Sequence, residues 1–263
     1  MKTFRLIGMA LLAIVMCVNF TSCSDDEEEP SKNDDGVITN QKLLVELRMT
    51  DEDGVSIMEY SYDSKGKLLS ANYRESDYGY TITWGANKII ESTTNKDAIT
   101  YTLENGLITH TSDSDGGDLA NATFTYNANN QLVKLQDNED EYTSYTWQGE
   151  KLTKIAWHEQ YYDSANEFSY SGKTCKGYLP IMVWNVDDLR PLLETHPELV
   201  GMRCNQLPDK AYSKSDNYEE TEQYTYTFDK DGYVESCTEV YTYKRLDSNE
   251  TRTETRIFTF TWE

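Results

Sequence analysis

The chain has 263 residues and a formal charge of −22, with 46 acidic residues against 24 basic ones and 20 tyrosines. Such an acidic surface repels nucleic acid and anionic membrane, so neither is an expected partner. Five cysteines and three scattered histidines (His110, His158 and His196) show no metal-knuckle spacing. No metal and no cofactor are expected.

In chain order, Lys2 and Arg5 precede the apolar run LIGMALLAIVMCV. That core falls short of the about 20 residues a spanning helix needs, and it fits a secretion signal instead. Ser22 then precedes Cys23 in FTSC, which resembles the bacterial lipobox. The resemblance implies that residues 1–22 are cleaved and that Cys23 becomes a lipid-bearing N-terminus, an anchor in the outer membrane. The following SDDEEE resembles the signal that carries lipoproteins of Bacteroidota to the cell surface. Residues 23–40 bury no apolar area and read as an acidic disordered tether.

Residues 41–263 read as a single domain built from a repeat. YSYDSKGKLL recurs in altered form as TITWGANKII, TYTLENGLIT, FTYNANNQLV, SYTWQGEKLT, FSYSGKTCKG and YTFDKDGYVE. The first strand of each ends at Tyr62, Trp84, Leu103, Tyr126, Trp147, Tyr170 and Phe228, at a period of about 21 residues before a long final gap. Each unit alternates aromatic or aliphatic residues with Thr or Ser, then turns through Asp, Asn and Gly. It returns on an aliphatic pair such as Leu68 and Leu69. This is hairpin chemistry. Seven hairpins with flanking LLVELRM and RIFTFTWE predict about 14–16 antiparallel strands. The expected fold is all-β, either a strongly curled sheet or a closed soluble barrel. Strands of six to eight residues are short for a tilted transmembrane strand.

Tyr60, Tyr62, Asp63, Gly66 and Leu68 resemble the YD repeat of RHS-type and teneurin-like proteins, whose hairpins curl into a hollow shell. Lipobox and tyrosine-rich hairpins together look like Bacteroidota lipoproteins that carry a domain of unknown function described as porin-like in fold.

An insertion at about 178–215 holds four of the five prolines. Asp187 is a candidate cap, Leu189, Leu192, Leu193 and Leu199 form an apolar side, and Pro191 and Pro197 limit it to short helical pieces. A ring this wide leaves room for the insertion to plug one mouth. Among the cysteines, Cys175, Cys204 and Cys237 are expected as free, buried thiols.

No nucleophile elbow or phosphate loop is present, and SDSDGGD and DKDG read as turns rather than calcium loops. In AWHEQYYDSANEF, the residues Trp157, His158, Tyr161 and Tyr162, joined by Trp184 of the insertion, are candidates for a glycan platform. The competing reading places Trp157 on the core face with Ile155. Asp163, Ser164 and Ala165 resemble a short O-glycosylation acceptor motif centred on Ser164. The functional expectation is a non-enzymatic cell-surface lipoprotein that binds a glycan or serves an outer-membrane transport assembly. The alternative is an extracellular hydrolase acting on a polymer such as polysaccharide.

Overall fold

The computed structural model describes residues 41–263 except 114–118, 120, 137–139, 160–162, 181–189 and 249. Residues 1–40 lie outside it, and with them the signal, Cys23 and the tether. Sixteen strands follow one another: β1 (Leu44–Thr50), β2 (Val55–Tyr62), β3 (Leu68–Tyr73), β4 (Gly79–Trp84), β5 (Lys88–Thr93), β6 (Ala98–Glu104), β7 (Leu107–Asp113), β8 (Thr123–Tyr126), β9 (Leu132–Gln136), β10 (Tyr142–Gln148), β11 (Lys151–His158), β12 (Asp163–Ser169), β13 (Lys210–Lys214), β14 (Tyr218–Phe228), β15 (Val234–Arg245) and β16 (Thr251–Trp262). Each pairs antiparallel with its neighbour in the chain, and β1 pairs with β16, so the sheet closes into a barrel. Closure leaves neither a first nor a last strand unpaired.

Alternation decides which way each side chain faces. In β8, Phe124 points inward and is buried while Thr123 and Thr125 are exposed. Thr81, Thr83, Thr225 and Thr227 repeat the outward pattern. Among the described residues, the large exposed apolar side chains are Val55, Leu69, Phe228 and Ile257, scattered over four strands. They form no apolar band.

The turns at one mouth explain the Asp and Gly of the repeat. Asp63 Oδ1 accepts from the amides of Lys65 (2.8 Å) and Lys67 (3.0 Å), and Gly66 takes φ = 80°. Asn127 with Asn130, and Asp229 with Gly232, build the same turn. A short acceptor that satisfies two amides and a residue free to reach positive φ are what such a loop requires.

In most hairpins an aromatic at or near the end of the approach strand also has a specific task; Leu103 cannot supply it, and in β14 it falls to Tyr226 because Phe228 faces outward and is exposed. Trp84 Nε1 donates to the carbonyl of Leu68 (2.8 Å), Trp147 Nε1 to Leu132 (2.7 Å) and Tyr62 Oη to Leu44 (2.6 Å). Tyr126, Tyr170, Tyr226 and Trp262 do likewise to Ile108, Leu152, Pro208 and Val234. Each of these rings ties its hairpin to an earlier segment of chain, and all but Tyr170 pack against the core. A buried ring with one polar tip is suited to that double role.

The connection from β12 to β13 enters the barrel from this same mouth. Its two limbs pair through Cys175 N to Asn205 O (3.0 Å) and Leu179 N to Cys204 O (3.1 Å). Between them lie helix α1 (Pro191–Thr195) and a 3-10 turn (Pro197–Val200). Leu179, Leu192, Leu193, Val200, Met202 and Leu207 are all buried in the core shared with the wall. The expected plug is therefore present; among its described residues are two short helical pieces that start at prolines. Helix α1 is preceded by Arg190 in extended conformation, without a side-chain cap. The expected cap Asp187 falls outside the described residues.

One hairpin differs from its expectation. After Tyr170 the chain does not return as FSYSGKTCKG predicts; it enters the plug, and the partner of β12 is β13 from beyond the insertion. KAYSK is too short and too polar to announce itself as a strand. Cys175, Cys204 and Cys237 are free and buried, as expected.

Candidate functional site

The mouth opposite the plug is lined by a change of chemistry along β14, β15 and β16. These strands run to 11 or 12 residues, beyond the length of their neighbours. Near the plug their inward positions are Tyr226, Cys237, Phe258 and Phe260, all packed into or against the core. Continuing in the same phase toward the far mouth, they become Glu222, Glu220 and Tyr218 on β14, Tyr241 and Tyr243 on β15, and Glu254 and Arg252 on β16. A strand that keeps its period but exchanges apolar for polar residues leaves the core there.

These groups are held by one another. Tyr241 Oη donates to Glu220 Oε1 (2.6 Å), and Ser213 Oγ donates to Glu220 Oε2 (3.2 Å). Tyr224 Oη donates to Glu222. The rings of Tyr218 and Tyr243 stack with centroids 5.7 Å apart. Arg252 pairs with Glu254 (2.7 Å) and reaches Glu52 (3.2 Å) in the β1–β2 turn, beside a shallow cleft lined by Met49, Asp51 and Glu254. Burial raises the Glu222 carboxyl, against the Tyr224 hydrogen bond and the Arg256 charge, while Glu220 adds to the rise. Carboxylate acceptors, an arginine donor and tyrosine faces on one wall can grip a polyhydroxylated ligand.

The sequence-derived site residues divide. Strand β11 runs on through His158, so neighbouring Trp157 and His158 face opposite ways. Trp157 stands opposite Thr143 on β10 and Ser164 on β12, in the inward phase of Ile155, and is half-buried at the far mouth. Ser164 shares that inward position. His158 faces outward, stacked on Tyr142 with centroids 4.2 Å apart and planes tilted by 22°. Lys134 of β9 lies over the same Tyr142 ring at 4.1 Å. Tyr161, Tyr162 and Trp184 lie outside the described residues, as does Cys23. No cluster able to hold a metal occurs among the described residues.

A second group, missed by sequence reasoning, sits where the plug meets the wall. Glu91 of β5 and Glu194 of α1 are 2 % and 1 % exposed. Glu194 Oε2 accepts from Tyr60 Oη (2.7 Å), and Glu91 Oε2 accepts from Leu192 N (3.4 Å) and Tyr101 Oη (3.5 Å). Among the described residues, the other oxygen of each carboxyl has no hydrogen-bond partner. Burial pushes both carboxyls up to about 7, partly offset at Glu91 by Arg190 and at Glu194 by Tyr60. The available signal was an acid in the apolar phase of KIIEST, two residues after Ile89. On the same plug, His196 packs against Tyr62 and Trp84, edge-on to both rings, and its Nε2 accepts from Leu68 N (3.2 Å).

Comparison with known proteins gives the architecture a family. A crystal structure of a porin-like protein from Bacteroides uniformis superposes with a TM-score of 0.67 at 18 % identity, covering 84 % of this chain and 98 % of that one. At that identity the likeness is one of fold. No curated protein matches the sequence. Residues 60–236, from the first full hairpin to β15, match the family described as a domain of unknown function (DUF4595) with porin-like fold, and the chain belongs to that family.

Proposed function

We propose that the protein is a cell-surface lipoprotein, anchored in the outer membrane through Cys23, that uses the far mouth of its plugged barrel to bind a glycan. The observation that carries this reading is the inward wall of β14–β16, which turns from Phe258 and Tyr226 to Glu220, Tyr243, Glu254 and Arg252 as it reaches that mouth. Tyrosine rings offer faces to the apolar side of a sugar, and the carboxylates accept from its hydroxyls. Trp157, inward on the same mouth, is a further stacking surface. The threonine-rich exterior supports a barrel that stands in water and relies on a lipid for attachment.

Two experiments test the two halves. A glycan array probed with the mature protein is expected to give hits that Tyr243→Ala and Trp157→Ala weaken; an array without hits contradicts the binding assignment. Cys23→Ala is expected to abolish palmitate labelling and to leave the precursor unprocessed. Normal maturation of that variant contradicts the anchor.

A further inference from the structure

The outer face of β10–β12 carries an arrangement that the far-mouth reading does not use. Ser144 Oγ lies 3.3 Å from His158 Nε2, and His158 Nδ1 lies 3.1 Å from Asp163 Oδ1. The three residues come from three adjacent strands, with His158 directly opposite Asp163 in the register and Ser144 one outward position along β10 from Tyr142, the partner of His158. The imidazole is fixed twice over, by the Asp163 carboxylate and by the Tyr142 ring stacked on its face. With Asp163 accepting from Nδ1–H, Nε2 is left as an acceptor aimed at the serine hydroxyl. Among the described residues, Ser144 Oγ is also within reach of the Ala156 carbonyl, to which it donates at 3.4 Å. Lys134 stands directly opposite Ser144 on β9, also facing outward. A nucleophile, a base and an orienting carboxylate are thus within hydrogen-bond reach of one another.

We propose that this face hydrolyses esters, with Ser144 as nucleophile, His158 as general base and Asp163 as positioning residue. Ser144 Oγ attacks the ester carbonyl carbon while its proton passes to His158 Nε2. The ester C–O bond then breaks, the alcohol leaves with the proton from His158, and an acyl group remains on Ser144. Water, deprotonated by His158, attacks that acyl group; the acid leaves and Ser144 recovers its proton. The sum is ester plus water giving acid plus alcohol. A site on the outside of a sheet, rather than in a lumen, fits a short acyl chain carried on a large alcohol such as a hydroxylated polymer.

The test treats the mature wild-type protein with a fluorophosphonate probe and locates the adduct by peptide mass spectrometry, so that it does not depend on any variant folding. An adduct on Ser144 is expected; its absence overturns the proposal. Steady-state turnover of p-nitrophenyl acetate is then compared among variants matched for melting temperature. Ser144→Ala is expected to abolish turnover and His158→Gln to lower it by about 10²-fold or more. Asp163→Asn is expected to lower kcat with little change in KM, and Asp163→Glu to restore part of the loss. Turnover unchanged in Ser144→Ala overturns the assignment even where the probe reacts.

Discussion

Tyr60 of β2 donates a 2.7 Å hydrogen bond to Glu194 of the plug helix, and this contact joins two buried groups 134 positions apart in the chain. Among the described residues it is the sole hydrogen bond to the Glu194 carboxyl, whose Oε1 is unmatched. Tyr60→Phe keeps the ring and removes the donor. A buried acceptor left unsatisfied costs roughly 1–3 kcal/mol, so the variant is expected to unfold at lower denaturant concentration by about that amount. An unchanged midpoint contradicts the role assigned to the contact.

The two buried carboxyls also make stability depend on pH. Their folded-state values near 7 lie above the ordinary carboxylate value of 4.5. The folded protein therefore binds more protons than the unfolded chain across that interval, and stability falls as pH rises from about 4.5 to 7. Below that window the opposite group acts: Asp63, held down by the amide of Lys67, and Asp229, held down by Lys42, lose their stabilising charge as they protonate. Maximum stability is expected in mildly acidic solution. Glu91→Gln with Glu194→Gln should flatten the decline between pH 5 and 8 in a series of thermal melts. A decline of full size in that double variant contradicts the assignment.

Gly201 ends the 3-10 turn at φ = 60°, and a Cβ there would lie 1.9 Å from the carbonyl oxygen of Asn130 in the β8–β9 turn. Gly201→Ala is expected to be destabilising by more than the roughly 1–2 kcal/mol that left-handed backbone alone costs, because the plug must also withdraw from the wall. Hydrogen exchange should show lost protection at Met202 and Leu207 with β4–β6 largely unaffected. Uniform loss across the barrel contradicts a seated plug that can loosen separately.

The wall ties separate ring packing from hydrogen bonding. Trp147→Phe keeps most of the ring and forfeits the bond to Leu132, a loss of roughly 0.5–1.5 kcal/mol. Trp147→Ala removes the ring as well and should cost roughly 3–5 kcal/mol. Equal losses in the two variants contradict the double role given to these aromatics.

Much of the architecture was legible because the repeat states its chemistry locally. Asp63, Gly66 and Tyr62 each serve a turn or a tie within some twenty residues, so period and composition reveal them. β13 was not legible, since its pairing with β12 depends on the chain returning from the plug. The facing of Trp157 and His158 needed only the knowledge that β11 continues past Ile155; adjacent residues on a strand then face apart. Glu91 and Glu220 carry a readable sign, acids in the inward phase of a strand. What sequence does not provide is their partners: Leu192 approaches Glu91 across 101 positions and Tyr241 approaches Glu220 across 21.

The central claim, that the far mouth binds a glycan, is tested most directly by titrating a neutral oligosaccharide array hit into the mature protein and its Tyr243→Ala variant by calorimetry. The account expects the variant to lose at least about tenfold in affinity, a difference of about 1.4 kcal/mol, with its melting temperature unchanged. Binding by wild type should persist in high salt, because a neutral ligand gains nothing from the acidic surface that salt can screen. Equal affinity in the variant, or wild-type binding that disappears with salt, contradicts it.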